Sequence, residues 1–185
     1  MFEICIYGRG GQGAKSAAQF IVEAALKEGK FIQAFPEYGP ERSGAPVVAY
    51  VRISNQEILT HEPISHSKAV LVLDESLIEV LDTTKGLEKN GIVIINSSKK
   101  NCKNFKQNVI FFDASKIALE FIKKDKSNTA MLGALVRATQ IIKLENLIKV
   151  IEGHFLAKIG EKETMANIMA VKEGSKIINS FFENS

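Results

Sequence analysis

A chain of 185 residues, 45% hydrophobic and 24% charged, is long enough to bury one full core and has the make-up of an ordinary globular domain. Its net charge of +3 is too small to mark a polyanionic partner, and no apolar run reaches the length that crosses a bilayer. Two cysteines, Cys5 and Cys102, neither build a disulfide framework nor supply the four thiolates an iron–sulfur cluster takes. Glu3 and the glycines from residue 8 onward interrupt any secretory apolar region, so a reducing cytoplasm is the expected compartment.

"FEICIY" (2–7) reads as a buried strand, with Cys5 a small buried thiol within it, and it leads directly into "GRGGQGAKS" (8–16). From Gly13 the pattern is helical. Ala14, Ala17, Ala18, Ile21 and Ala25 share one face, while Gln19, Glu23 and Lys27 share the other, with Glu23 and Lys27 spaced for an ion pair. "FIQAF" (31–35) is a second strand, and strand, helix and strand together predict one βαβ unit with a parallel pair. "PEYGPERSGAP" (36–46) predicts a loop, followed by a strand over 47–54 and a short strand or hairpin at 57–59, antiparallel in character.

"AVLVLD" (69–74), "GIVIINS" (91–97) and "NVIFFDA" (108–114) are continuous apolar runs, as in strands covered on both faces. A short helix is expected near 75–82, with Asp74 and Glu75 placed to cap it, and another over 115–124. Beyond residue 127 the chain is helical throughout. Ser127 or Asn128 is placed to cap "TAMLGALVRATQII", Leu144, Leu147, Ile148, Ile151 and Phe155 form a second stripe, and a third helix covers about 162–182. The expected architecture is one α/β domain over 1–185, three-layered and Rossmann-like, with a mostly parallel (mixed) sheet and a helical C-terminal part.

Gly8, Gly10 and Gly13 spell G-x-G-x-x-G, and Lys15-Ser16 echoes a nucleotide P-loop. The P-loop reading fails because Ala14 delays the lysine by one residue, a rotation of about 100° on a helix. The dinucleotide reading lacks an acid at the end of "FIQAF", since Glu37 follows Pro36 in the predicted loop. What survives is a helix start with bare backbone donors, formed by Gly10, Gly11, Gln12 and Gly13 with Lys15 nearby. Such a start suits either an anion or the close backbone of a partner, and glycine there also permits tight helix–sheet packing.

The loop carrying Glu37, Tyr38 and Arg42 should gather at the same sheet edge, where Arg42 can grip a carboxylate or phosphate or be neutralised by Glu37 or Glu41. His61, His66 and His154 have no metal-ligand spacing and read as surface residues. The Lys-rich stretches 97–106 and 123–126 lack interleaved arginine and aromatic residues, so they read as solvated faces and not as nucleic-acid sites. No set of residues forms a catalytic constellation, and none forms a metal site.

Four blocks in order, "GRGGQGAKSAAQ" (8–19), "QAFPEYGPERSGAPV" (33–47), "LVLDESL" (71–77) and "SNTAMLGALVR" (127–137), resemble the gamma subunits of the 2-oxoacid:ferredoxin oxidoreductase family, in the pyruvate-type version. The resemblance implies a heterotetrameric enzyme that converts pyruvate, coenzyme A and oxidised ferredoxin to acetyl-coenzyme A, carbon dioxide and reduced ferredoxin. It places thiamine diphosphate and the iron–sulfur clusters in companion alpha, beta and delta subunits, with no cofactor held by this chain alone. Coenzyme A is implied at a shared site, where its phosphates or a companion's backbone would meet the glycine turn. Gamma-type subunits for 2-oxoisovalerate, indolepyruvate or 2-oxoglutarate, and a stand-alone dinucleotide oxidoreductase, are the alternative readings.

Overall fold

The computed structural model describes residues 1–38, 44–99, 105 and 108–183, with only the backbone of 36–38 and 180–183. Six strands form a single sheet in the order β2-β3-β1-β4-β5-β6. The strands are β1 (Phe2–Arg9), β2 (Phe31–Tyr38), β3 (Pro46–Ser54), β4 (Ser67–Val72), β5 (Leu87–Asn96) and β6 (Asn108–Phe112). β1, β4, β5 and β6 run parallel, whereas β3 pairs antiparallel with both β1 and β2. The continuous apolar runs are explained by burial on both sides. Ile4, Ile6, Ala69, Leu71 and Ile94 face one core, and the alternating Cys5, Val70, Val72, Val93 and Ile95 face the other.

The main core lies under α1 (Ala14–Leu26), α3 (Ala114–Phe121), α4 (Asn128–Thr139) and α5 (Leu144–Glu183). The opposite core is closed by the single turn of α2 (Leu77–Val80) and by irregular segments contributing Ile64, Leu81 and Phe105. The mixed α/β class therefore holds, with a thin third layer.

Several expectations are corrected. β1 and β2 point the same way but do not pair, because β3 lies between them. β3 returns from β2 through a short connection, and this local antiparallel pairing takes both neighbouring positions. β2 runs on through Pro36 to Tyr38, and Pro36 is tolerated because β2 is an edge strand. Residues 57–59 form no strand, since β3 already has a partner on each side. They are part of a segment tied down by Gln33 Nε2, which donates to the Thr60 carbonyl at 3.2 Å, and by the buried Arg52. Arg52 Nη2 donates to the Glu62 carbonyl at 2.6 Å and Nε to Glu3 Oε1 at 2.7 Å.

Helix boundaries follow local chemistry. The Asp113 side chain caps α3 by accepting from the Lys116 N–H at 2.8 Å. Ser127 occupies the N-cap of α4 but makes no side-chain capping bond, so neither predicted cap acts as one. The long α5 is broken at Gly160, whose φ of 82° and ψ of 169° are open almost only to glycine. That break separates the two C-terminal stripes seen in the sequence. Glu23 turns from Lys27 to His154 on α5, with Nε2 to Oε2 at 2.7 Å, and the imidazole packs tilted against Phe20 with the ring centres 5.2 Å apart. His154 is thus an inter-helix contact and not a plain surface histidine.

α4 is buried from Asn128 through Val136 because it lies between the sheet and α5. The two helices approach through a reciprocal pair of glycines. A Cβ on Gly133 would stand 1.9 Å from the Val171 carbonyl, and one on Gly174 would stand 2.0 Å from the Ala130 carbonyl. Gly174→Ala should therefore cost about 3 kcal/mol by forcing the backbones apart. Gly153→Ala, on the exposed side of α5 with nothing within 4 Å, should instead gain about 0.5–1 kcal/mol. Urea midpoints of the two variants, moving in opposite directions, check the packing.

Candidate functional site at the glycine turn

β1 ends at Arg9, and the chain turns through Gly10 to Gly13 before α1 begins at Ala14. Gly11 and Gly13 hold φ of 94° and 84°, the left-handed region that disfavours any side chain. Gly13 carries the N-cap of α1, so no side chain caps the helix, and no acidic residue lies in its first turn. The Gly10 N–H donates to the Ala45 carbonyl at 2.9 Å, which ties the turn to the segment entering β3.

Arg9 organises this edge. Its Nη1 donates to the Gly44 carbonyl at 3.0 Å, its Nη2 to Ser76 Oγ at 2.7 Å, and its Nε lies 3.2 Å from Asp74 Oδ2. Gln12 completes the network. Its Oε1 accepts from the Arg9 N–H at 2.7 Å and its Nε2 donates to Asp74 Oδ2 at 2.9 Å. Burial alone would raise the Asp74 pKa. The Ser76 hydroxyl, Gln12, the Ser76 N–H and the Arg9 charge outweigh it and hold the carboxyl below its ordinary value.

The edge gathers the carboxyl ends of β1, β4, β5 and β6, and β1 is where the chain's path reverses across the sheet. Ligand crevices of open α/β sheets form at such a place. Two cavities open there, on either side of Gln12. The first, about 290 Å³, is lined by Asp74, Glu75, Asn96, Asp113 and Asp125 among others. The Asn96 amide braces it, donating to the Leu73 carbonyl and Ser115 Oγ, each at 3.0 Å. The second, about 750 Å³, runs from Gly11 and Gly13 to the α3–α4 linker and the Gly160 corner of α5.

The expected site residues are distributed unevenly over this edge. Gly11, Gln12 and Gly13 line the larger groove, Gly10 has spent its N–H on Ala45, and the exposed Lys15 lines neither cavity. The backbones of Glu37 and Tyr38 end β2 at the same edge, since Tyr38 pairs with Val47 and Val47 with Gly8. Arg42 lies outside the described residues, as does Cys102. His61 and His66 are exposed. Burial raises the Cys5 thiol to about 11, which leaves it unreactive. Among the described residues no three His, Cys, Asp or Glu side chains converge as a metal site. Reading by residue type overlooked Arg9, although it lies inside the glycine motif, and took Asp74 only for a helix cap.

Glu37 belongs to β2 after all, but β3 holds β2 two strand spacings from β1, roughly 10 Å away. An acid there is displaced from the ribose position of a dinucleotide fold, where β1 and β2 are neighbours.

The family model for pyruvate ferredoxin/flavodoxin oxidoreductase matches residues 3–177. The chain belongs to that family. A Pyrococcus furiosus protein named pyruvate/ketoisovalerate oxidoreductases common subunit gamma is 42% identical over 172 residues, which cover 90% of this chain and 93% of that one. Pyruvate synthase subunit PorC of Thermotoga maritima is 43% identical over 178 residues, covering 94% and 92%. The crystal structure of pyruvate oxidoreductase subunit PORC from Thermotoga maritima matches with a TM-score of 0.83 at 41% identity, covering 95% of both chains. Among the described residues, no helix is long and apolar enough to cross a membrane.

Asp74→Asn should cost about 1–3 kcal/mol at neutral pH, by weakening charge-assisted bonds to Arg9, Gln12 and Ser76. Because the folded carboxyl ionises below its unfolded value, its stabilisation is present above the ordinary carboxylate range and is lost as pH falls through the depressed value. Urea midpoints of the two proteins should thus differ at neutral pH and converge in acid.

Proposed function

We propose that this chain is the gamma subunit of a multi-subunit pyruvate:ferredoxin oxidoreductase, which converts pyruvate and coenzyme A to acetyl-coenzyme A and carbon dioxide while reducing ferredoxin. The observation that carries this reading is the family match over residues 3–177, joined to gamma-type relatives that align along almost their whole length. One sheet with α5 packed on α1 and α4 supports treating 1–185 as a single domain in that assembly.

The companions in this proposal are alpha, beta and delta subunits of the cytoplasmic complex. They hold thiamine diphosphate, the electron sink, and the iron–sulfur clusters that lead to ferredoxin. Two cysteines are fewer than the four thiolates an iron–sulfur cluster takes, as a chain that leaves the clusters to its partners would have. Its role is to present the sheet edge. There Gly10, Gly11, Gln12, Gly13 and Lys15 would meet a coenzyme A phosphate or a companion's backbone, and the segment with Glu37, Tyr38 and Arg42 would face the substrate side. Arg9 supports this by bonding Gly44 and Asp74 at once, which fixes where that segment departs from the turn.

A second reading has its own observation. The Pyrococcus furiosus relative is named as common to pyruvate and ketoisovalerate enzymes, so one gamma chain serving two oxoacid complexes is the competing form.

Reconstitution with the companion subunits tests these readings. Pyruvate- and coenzyme A-dependent viologen reduction should need this chain, and omitting it should lower the rate at least about tenfold, a loss of roughly 1.4 kcal/mol in transition-state terms. The chain alone should reduce no dye and bind no NAD. Turnover of 2-oxoisovalerate, but not of pyruvate, would reassign the substrate.

A further inference from the structure

We infer that Asn90 is a site of spontaneous covalent modification in the native chain. The Gly91 backbone nitrogen closes on the Asn90 side-chain amide and converts it to aspartate and isoaspartate.

The pairing of β4 with β5 sets up the site. Ser67 pairs with Leu87 and the next pair is Ala69 with Ile92, so β4 advances two residues while β5 advances five. β5 also begins its pairing with β6 only at Ile92, opposite Asn108. Glu88, Lys89, Asn90 and Gly91 therefore stand outside both ladders, as an enlarged bulge on β5. Glu88, Lys89 and Asn90 are exposed. The bulge is tight, for a Cβ on Gly91 would lie 2.9 Å from the Glu88 carbonyl oxygen and 2.4 Å from Leu87 Cδ1. Leu87 in turn packs on the second core. The return of the chain to the ladder thus requires glycine at 91, and asparagine precedes it.

Asparagine is among the thermally labile residues. Its amide is attacked most readily when glycine follows, because no Cβ crowds the attacking nitrogen. Asn90 is the only asparagine of the sequence followed by glycine. The Gly91 nitrogen gives its proton to hydroxide and forms a bond to Asn90 Cγ. The Cγ–Nδ2 bond then breaks, and ammonia leaves with a proton taken from water, which regenerates the hydroxide. Water opens the resulting cyclic imide at either carbonyl. One opening leaves aspartate, and the other leaves isoaspartate, in which the main chain runs through the side-chain carbon. Water is the only reagent consumed, and nothing is oxidised or reduced.

The structure leaves this path open. Exposure of Asn90 admits hydroxide and water to Cγ, and its side chain has no hydrogen bond to a described residue to break before it swings onto the Gly91 nitrogen. Outside the ladders, no strand pairing holds the 90–91 backbone in place. Other asparagines are held or shielded. The Asn96 amide is bonded to the Leu73 carbonyl and Ser115 Oγ, while Asn128 and Asn167 are buried. The product carries a new carboxylate two residues from Glu88. Isoaspartate also lengthens the main chain where Leu87 and Glu88 leave no slack, so the excess is absorbed at Ile92 and loosens the start of the β4-β5-β6 pairing.

The full-length chain, held in warm and mildly alkaline buffer beside a sample unfolded in guanidinium, tests the site by peptide mass mapping and isoaspartate quantification. Native Asn90 should convert at least about tenfold faster than any other asparagine, and within about tenfold of its rate in the unfolded chain. The rate should rise with pH, and Asn90→Gln should abolish the product. Amide hydrogen exchange at Ile92 and Val93 should become faster in the aged protein than in Asn90→Gln aged in parallel.

An Asn90 that stays intact in the native chain while the unfolded sample converts means that the fold protects it, and overturns the inference. Faster conversion at another asparagine of the native chain does the same. Exchange at Ile92 and Val93 that matches the Asn90→Gln control overturns the loosening of β5.

Discussion

The contact between Gly13 and Asn128 is the constraint on which this edge of the molecule depends. The Asn128 amide occupies the space a side chain at 13 would need, so the starts of α1 and α4 meet with nothing between them. Each helix is held independently. α1 sinks Ala17, Ala18, Ile21, Ala24 and Ala25 into the main core, and α4 is locked on α5 by the Gly133–Gly174 approach. A well-packed interior does not deform continuously, so packing alone sets the relative position of the two helix starts. The turn inherits its position from that core and passes it on through Arg9 to Gly44, Asp74 and Ser76.

The insertion of β3 shapes what the turn can bind. In a dinucleotide fold the strand after the first helix lies beside the first strand, and its terminal acid reaches the ribose. Here the position beside β1 is filled by β3, whose start brings Ala45 against Gly10. The flank next to β1 is closed by backbone pairing, and the open side of the turn faces α4 and α5 instead. The same glycine pattern therefore serves a different neighbour, because topology and not the motif decides what approaches the donors.

Much of the architecture was legible where burial imposes periodicity. The continuous runs in β4, β5 and β6 signalled strands covered on both faces, and the small-residue face of α1 was read residue by residue. Pairing was not legible, because the alternation in β3 is the same whether it lies at an edge or between two strands. The four sequence blocks located the edge, but not the bonds within it. Arg9 was hidden because an arginine beside glycines has no fixed partner in the sequence, and Asp74 joins it only through the parallel pairing of β1 with β4. Asn128 looked like a cap because asparagine before an apolar helix ordinarily is one. In the folded chain the approach of α1 sets its amide over Gly13.

Electrostatics then separates two cavities that share a wall. Asp74, Glu75, Asp113 and Asp125 line one side of Gln12, and four lysines with one glutamate line the other. Gln12 is uncharged, and its amide is saturated by Arg9 and Asp74, so it divides the two without favouring either sign. Arg9 neutralises part of the acidic side while spending its own charge on Asp74 and its donors on Ser76. The glycine turn thus forms one lip of the basic groove, and the lysines along that groove, Lys123, Lys124, Lys126 and Lys162, come from more than a hundred positions along the chain.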